Sequence, residues 1–416
     1  MSRSPARELA LTALQRWHST NQFADRIIQQ LLAATPAIAP ERAFAQELFY
    51  GILRNLTLLD FYIQRLRPSG VDPLSGDLIR LGLFQLFHLQ TPTHAAVFET
   101  VQLAPTSKRS LVNAVLRNAI RNRDRLLADS AAQPLHIRQS HPEFLVRRWT
   151  SAFGKASTIA LCDWNNQAAP LYARINSLRT NREDFLARNP AAERVSSRPL
   201  FVKCGELPRA ALAGGECYMQ DPSTELSVNL LNPREGERIL DACAAPGGKL
   251  FQIADKTADK TSLVACDRDA ARLDLLRENL RRLGIGDIPV VQHDWLRDSA
   301  SGRFQLKEFD KIILDLPCTN TGVMRRRVDV RWRLTPADFQ MMADQQFRIV
   351  AAVLPLLRSN GTLVYSTCSV EPEENEQMVT RLGRDFPRLH LEAMQSVLPF
   401  KDNFDGAFAA RFVLKG

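Results

Sequence analysis

No two of the seven cysteines form a C-x-x-C pair; they stand at Cys162, Cys204, Cys217, Cys243, Cys266, Cys318 and Cys368. That spacing argues against zinc, and an odd count argues against a disulfide framework. No metal is expected. Nor is any run long and apolar enough to span a bilayer. The opening M-S-R-S-P-A-R-E-L-A is polar and holds no signal-peptide core. These absences set the expectation of a reducing, cytoplasmic setting with no membrane partner. Two nucleotide motifs are missing as well. Lys249 is followed by Leu250 and has no glycine at the offset a P-loop needs. The dinucleotide pattern G-x-G-x-x-G does not occur.

What is present is enough chain for two or three cores. At 416 residues and 45% apolar composition the sequence is that of an ordinary globular protein with several domains. Against 45 acidic residues stand 54 basic ones, a net charge of +9. That moderate excess makes nucleic acid a fair partner.

Residues 1–130 read as all-helical. Ile27, Ile28, Leu31 and Leu32 recur at helical spacing, as do Phe44, Leu48, Phe49, Ile52 and Leu56. Residues 78–89 are nearly all apolar and suit a bundle centre. A helix over 110–127 carries Arg117, Arg121, Arg123 and Arg125, which form either a solvated face or a phosphate-binding one. Residues 131–168 read as a connector with a helix begun near Pro142, where His141 is a cap or loop residue. Residues 169–232 change character. Alternation over 171–176 predicts a strand, and the stretch reads as a small α+β insert. From 233 to 416, strands and helices alternate as in a parallel doubly wound sheet. Strands are predicted at 238–240, 262–266, 289–292, 311–314 and 361–366. A long helix is predicted over 338–357, and residues 409–414 suit a final edge strand.

The chemistry gathers where that sheet's strands end. The stretch R-I-L-D-A-C-A-A-P-G-G-K, ending at Lys249, joins a strand to a helix through a glycine turn. Its small residues let backbone approach a ligand beyond the strand's carboxyl end. Asp267, Asp294 and Asp315 each follow a strand. One alone could be a helix cap; three in succession line the edge where this topology binds ligands. Cys318 and Cys368 lie in polar loops on the same edge, whereas Cys266 reads as a small core residue. If the two loops are neighbours, one thiolate can attack while the other does a second job. Arg325, Arg326, Arg327, Arg331 and Arg333 crowd the stretch beyond Cys318. They are read as an RNA-phosphate contact and a source of positive field.

The motifs D-A-C-A-A-P-G-G-K, D-L-P-C-T-N-T-G and Y-S-T-C-S-V-E-P-E-E-N-E occur in that order. Together they resemble the RNA cytosine-5 methyltransferases that use S-adenosyl-L-methionine, over roughly residues 140–414. The stretches R-L-G-L-F-Q-L-F and V-N-A-V-L-R resemble the antitermination factor NusB. The pairing is similar to bacterial enzymes that methylate small-subunit ribosomal RNA. The resemblance implies a Rossmann-like methyltransferase domain preceded by a small α+β RNA-binding insert and an all-α NusB-like domain. It implies that Cys243, Ala244, Ala245, Pro246, Gly247, Gly248 and Lys249 wrap the methionine end of the cofactor. Asp267 would take the ribose hydroxyls, Asp294 would face the adenine, and Asp315 would lie near cofactor and base. Cys368 would be the nucleophile and Cys318 would assist release. The implied partner is 16S ribosomal RNA, with its cytosine single-stranded or flipped, and the protein is expected to act as a monomer. Leu316, Thr319 and Asn320 depart from the family's D-A-P-C-S-G-T-G, and Arg327-Val328 stands where His-Pro is usual. These changes touch loop shape and substrate preference, and they remove no acid or thiol. Two alternatives stay open: the same reaction on transfer RNA or another RNA, and a non-catalytic RNA-binding assembly factor.

Overall fold

Apolar stripes at helical spacing decide the N-terminal half. In helix Ala24–Ala34, Ile27, Ile28, Leu31 and Leu32 fall on one face and are all buried. The following helices Ala39–Arg54 and Leu56–Leu66 bury Leu48, Phe49, Ile52, Leu59 and Tyr62. Helix Pro73–Phe87 begins where the Asp72 side chain accepts from the Ser75 N–H, and it buries most of its length at the bundle centre. Each large apolar side chain fully buried here is worth about 1.5–3 kcal/mol. The computed structural model describes residues 5–89, 91–298, 304 and 307–416. The chain divides into two units, residues 1–168 with 324–334, and residues 169–323 with 335–416.

The first unit is all-helical. The helix predicted over 110–127 is two helices, Thr106–Arg121 and Arg123–Ala131, because Asn122 leaves helical geometry between them. The stretch read as a connector is mostly helix, with Leu135–Arg138 and the long Glu143–Asn166, kinked at Gly154. His141 is buried, and its Nδ1 lies 2.7 Å from the Gln139 carbonyl. The unit is completed by residues 324–334, which the chain supplies between the strand Phe309–Asp315 and the helix Pro336–Val353. Within this segment Val328 joins the helical core. Asp329 accepts from the Trp17 indole N–H and from the Ala24 backbone N–H.

The second unit holds two sheets. The smaller is antiparallel, in the order β2-β3-β1-β4, from β1 (Leu171–Ile175), β2 (Ala192–Arg194), β3 (Phe201–Cys204) and β4 (Cys217–Met219). The larger comprises β5 (Arg238–Asp241), β6 (Ser262–Asp267), β7 (Val290–Gln292), β8 (Phe309–Asp315), β9 (Leu357–Thr367), β10 (Leu389–Val397) and β11 (Ala407–Leu414). Its order is β10-β11-β9-β8-β5-β6-β7. Strands β5 to β9 run parallel, and β11 and β10 are added antiparallel. The chain therefore moves one way through β5, β6 and β7, then returns to the other side of β5 with β8. The strand order reverses between β5 and β8, the place where such sheets bind ligands.

The expected edge strand is not at an edge. Strand β11 lies between β9 and β10, and β10 takes the outer position. Its interior residues are mostly exposed, so it carries little of the apolar signal that marks a strand in a sequence. The long helix runs over Pro336–Val353, opened by a capping box of Thr335 and Asp338.

Candidate active site

Asp241 and Asp315 close the neighbouring parallel strands β5 and β8. After Asp241 the chain passes through Cys243–Ala245, a cis Ala245–Pro246 bond and Gly247 into helix Gly248–Lys256. Gly247 has φ +112°, and a Cβ there would collide with the Phe251 ring at 2.2 Å. Only glycine fits that turn. A cavity of about 170 Å³ opens above it, walled by Tyr218, Gln220, Thr224, Asp241, Cys243–Lys249 (Gly247 excepted) and Asp315.

The charges in this cavity are unbalanced. Asp241 is 1% exposed, and neither carboxylate oxygen has a hydrogen-bond partner among the described residues. Burial, then the charge of Asp315, pushes its acid up to about 7. Lys249 and the nearby Cys243 backbone N–H pull the other way. Lys249 Nζ instead pairs with Asp315 Oδ2 at 2.6 Å. A buried carboxylate lacking a partner suits a cationic ligand. The sulfonium and ammonium of S-adenosyl-L-methionine are such cations, so the residues present fit that cofactor. Asp241→Asn is expected to stabilise the ligand-free protein at pH 8 by on the order of 2 kcal/mol. A carboxyl raised on folding contributes stability that is complete below its unfolded value and is lost as pH rises through about 7. The difference from wild type should therefore vanish near pH 4 in thermal melts.

Two of the predicted cofactor acids lie outside this cavity's walls. Asp267, ending β6, accepts from the Ala245 N–H at 3.2 Å and the Asp269 N–H at 3.1 Å, and so ties the glycine turn to the next strand. Asp294 accepts from the Leu296 N–H at 3.0 Å and is part-buried.

The two predicted cysteines do come together. Strands β8 and β9 are parallel neighbours with Asp315 opposite Ser366, so the loops beyond them leave at the same end. Cys318 Sγ lies 3.2 Å from Cys368 Sγ, and both are free thiols. Cys318 is buried and Cys368 is partly open. The hydrogen bond with Cys368, followed by burial, pushes the Cys318 thiol well above its ordinary value.

A residue with no assigned role in the sequence reading fastens these loops. Glu374 is fully buried, accepts from the Thr319 N–H at 3.0 Å and the Ser369 hydroxyl at 2.7 Å, and also bonds the Thr319 hydroxyl. Gln346 donates to it at 2.9 Å, and the Tyr365 hydroxyl reaches both Gln346 and the Glu374 carbonyl. One carboxylate thus spans the residues that follow both cysteines. Its position in V-E-P-E-E-N-E gave no sign which acid turns inward. Close packing completes the arrangement. A Cβ on Gly322 would lie 2.7 Å from both the Cys368 carbonyl and Gly406 Cα.

The arginine run divides. Arg331 is fully buried in the helical unit and donates to the carbonyls of Ser140 and Asn165 and to Asn166 Oδ1. Arg325 is 2% exposed and stacks 3.8 Å from the Trp164 ring. Neither presents its guanidinium to solvent, which corrects the reading of these two as phosphate contacts. Arg327 is exposed and Arg326 part-exposed.

A mostly parallel sheet with a glycine-turn cavity at its point of reversal places a ligand site where doubly wound folds bind theirs, and the family comparisons make it the cofactor site of a methyltransferase. The family model described as 16S rRNA methyltransferase RsmB/F matches residues 228–413. The NusB family matches residues 4–121, and an RsmF/B-like ferredoxin-like domain matches residues 141–194. Ribosomal RNA small subunit methyltransferase B of Serratia proteamaculans is 35% identical over 90% of each chain. The protein of the same name from Yersinia pseudotuberculosis is 34% identical over 97% of this chain and 100% of its own. Among solved structures, PH0851 aligns with a TM-score of 0.79 at 20% identity, covering 99% of each chain. NSun6 from Pyrococcus horikoshii, solved with SFG, aligns at 0.60 and 22% identity over 66% of this chain and 98% of its own. The chain belongs to the RsmB/F family of 16S ribosomal RNA methyltransferases. No helix among the described residues is long and apolar enough to cross a membrane.

Proposed function

We propose that this chain methylates carbon 5 of a cytosine in 16S ribosomal RNA through a covalent bond between Cys368 and carbon 6. The observation that carries this reading is the pair of thiols 3.2 Å apart at the ends of β8 and β9, next along the chain from a cavity wall at Asp315.

Carbon 5 of cytosine is a weak nucleophile. A thiolate adding to carbon 6 makes carbon 5 enamine-like and able to attack. Cys368, the more open of the two, takes that part. Cys318 waits, held as a thiol chiefly by its neighbour. Once Cys368 is bonded to carbon it is no longer the same hydrogen-bond partner, and the largest cause of the Cys318 shift is weakened. Cys318 then gives its own proton to solvent more readily, and as a thiolate it takes the carbon-5 proton while the carbon–sulfur bond breaks and Cys368 leaves with that bond's electron pair. Asp315 stabilises the protonated ring during attack. S-adenosyl-L-methionine, when bound, supplies a methyl group on a positively charged sulfur. Cys243–Lys249 and Asp315 hold its methionine end, Asp267 its ribose and Asp294 its adenine. Arg326 and Arg327 contact RNA phosphates. The target base is unpaired or flipped to reach the thiols. The protein acts as a monomer.

Bisulfite sequencing tests the reading. Ribosomal RNA from cells lacking the gene should carry an unprotected cytosine that purified protein and cofactor protect in vitro. If every cytosine of that 16S RNA stays convertible after treatment, the reading fails. Cofactor binding is separable from it. Asp267→Ala is expected to weaken S-adenosyl-L-methionine binding by roughly 10- to 100-fold in calorimetry, the loss of one charged hydrogen-bonding group.

A further inference from the structure

The small antiparallel sheet has a second face. Ala173, Ile175, Val202 and Cys204 point into its core, and alternation turns Tyr172 and Lys203 the other way. These two are direct partners across β1 and β3, so their side chains are neighbours. Tyr172 meets the Phe404 ring at 65° with centroids 5.9 Å apart, and the Arg198 guanidinium lies 5.7 Å from the same ring. Lys203 is exposed, and Tyr172, Arg198 and Phe404 are partly open. Arg198 is not spent on the fold. Its nearest acid, Glu225, stands 3.7 Å from Nε, beyond hydrogen-bond reach, and Nε has no other partner among the described residues. On the same insert Arg174, Arg188 and Arg194 are each paired with a carboxylate. Glu193, opposite Lys203 on β2, is the acid beside that lysine.

The loop carrying Phe404 is fastened to the thiol loops. Two residues on, the Gly406 N–H donates to the Gly322 carbonyl at 2.8 Å, and the Gly322 N–H donates to the Cys368 carbonyl at 3.0 Å. Two residues of extended chain span at most about 7 Å. Between them the Asp405 N–H donates to Asp221 Oδ1 at 3.2 Å, which fixes the same loop on the insert. We propose that Tyr172, Arg198, Lys203 and Phe404 form a subsite for the nucleotide next to the target in the RNA strand. Its base stacks on the aromatic surface, and the two cations receive the flanking phosphates. A base taken out of its stack to reach a thiol leaves its neighbour without a stacking partner, and this surface replaces that partner. Every base has a π face, so the subsite holds the strand without choosing its sequence. The inference rests on Cys368 as the point of attack, because the short path from Phe404 to Cys368 is what makes this the adjoining nucleotide.

The test reads RNA contact separately from methylation. Full-length wild-type protein is irradiated on 16S RNA transcribed with 5-iodouridine, and the crosslinked peptides are sequenced by mass spectrometry. A nucleotide is expected on Phe404 or Tyr172; crosslinks that spare both residues overturn the proposal. F404L keeps an apolar side chain and loses the ring. It should weaken 16S RNA binding by about 5- to 150-fold, the range for one stacked base, with S-adenosyl-L-methionine binding and melting unchanged. F404W restores a ring and should recover most of the loss. K203Q should lower the salt slope of RNA binding by about one, whereas F404L should leave that slope alone. RNA binding by F404L within about twofold of wild type, or an equal loss in F404L and F404W, overturns the proposal. Should F404L fail to fold, the crosslinks on wild-type protein decide. Crosslinks at Phe404 together with methylation by Cys368→Ala would overturn the proposed function and keep the RNA contact.

Discussion

In Cys318→Ala protein given cofactor and 16S RNA, a protein–RNA adduct that survives denaturing electrophoresis is expected to accumulate. Attack by Cys368 and methyl transfer need no proton acceptor at position 318, but elimination does. Turnover should fall by about 10²- to 10⁴-fold, the range for loss of a proton-transfer group. Cys368→Ala should give neither adduct nor methylated RNA, and the double variant should behave like it. The geometry makes the two outcomes unequal, since the thiols differ in burial and Cys318 is pushed well up by its neighbour. An adduct in Cys368→Ala with none in Cys318→Ala would exchange the two roles.

Arg331→Met should unfold the helical unit more readily without touching the thiols. Burial lowers the Arg331 guanidinium to about 9, and three acceptors, on Ser140, Asn165 and Asn166, take its hydrogens. Methionine fills the volume and leaves those oxygens unmet. Removing the charge relieves the burial penalty that lowers Arg331, so the net expected cost is about 1–3 kcal/mol, read in calorimetry as a drop on the order of 5 °C in the melting of this unit. Arg327→Ala is the contrast. It lies four residues away in sequence and is exposed, so it should stay within about 0.5 kcal/mol of wild type. It should instead weaken RNA binding most at low salt. Equal melting of the two variants would remove Arg331 from the fold's support.

The alternation of strands and helices after residue 233, the glycine turn and the meeting of Cys318 with Cys368 were all legible in the sequence. Each depends on local signals: apolar runs, Gly247 at a turn, and loops that follow parallel strands. What escaped depends on long-range contacts. Strand β10 lies at an edge with most side chains in water, so no apolar pattern marks it. Glu374 is one acid among four in a short run, and only tertiary packing turns it inward. Arg331 and Arg325 look identical in sequence to Arg327, yet the first two are spent inside the helical unit. The unpartnered state of Asp241 is likewise a property of its surroundings, since a strand-ending aspartate is ordinary in sequence.

The segment 324–334 also has a consequence for biosynthesis. A ribosome releases residues 1–168 well before it has made the piece carrying Val328, Asp329 and Arg331. At ordinary elongation speeds the interval is roughly 8 to 30 s. Through that time the nascent bundle lacks the Val328 side chain for its core and the guanidinium that answers the carbonyls of Ser140 and Asn165. The amino-terminal unit is therefore unfinished during translation and can close its core only when the arginine-rich turn emerges from the exit tunnel.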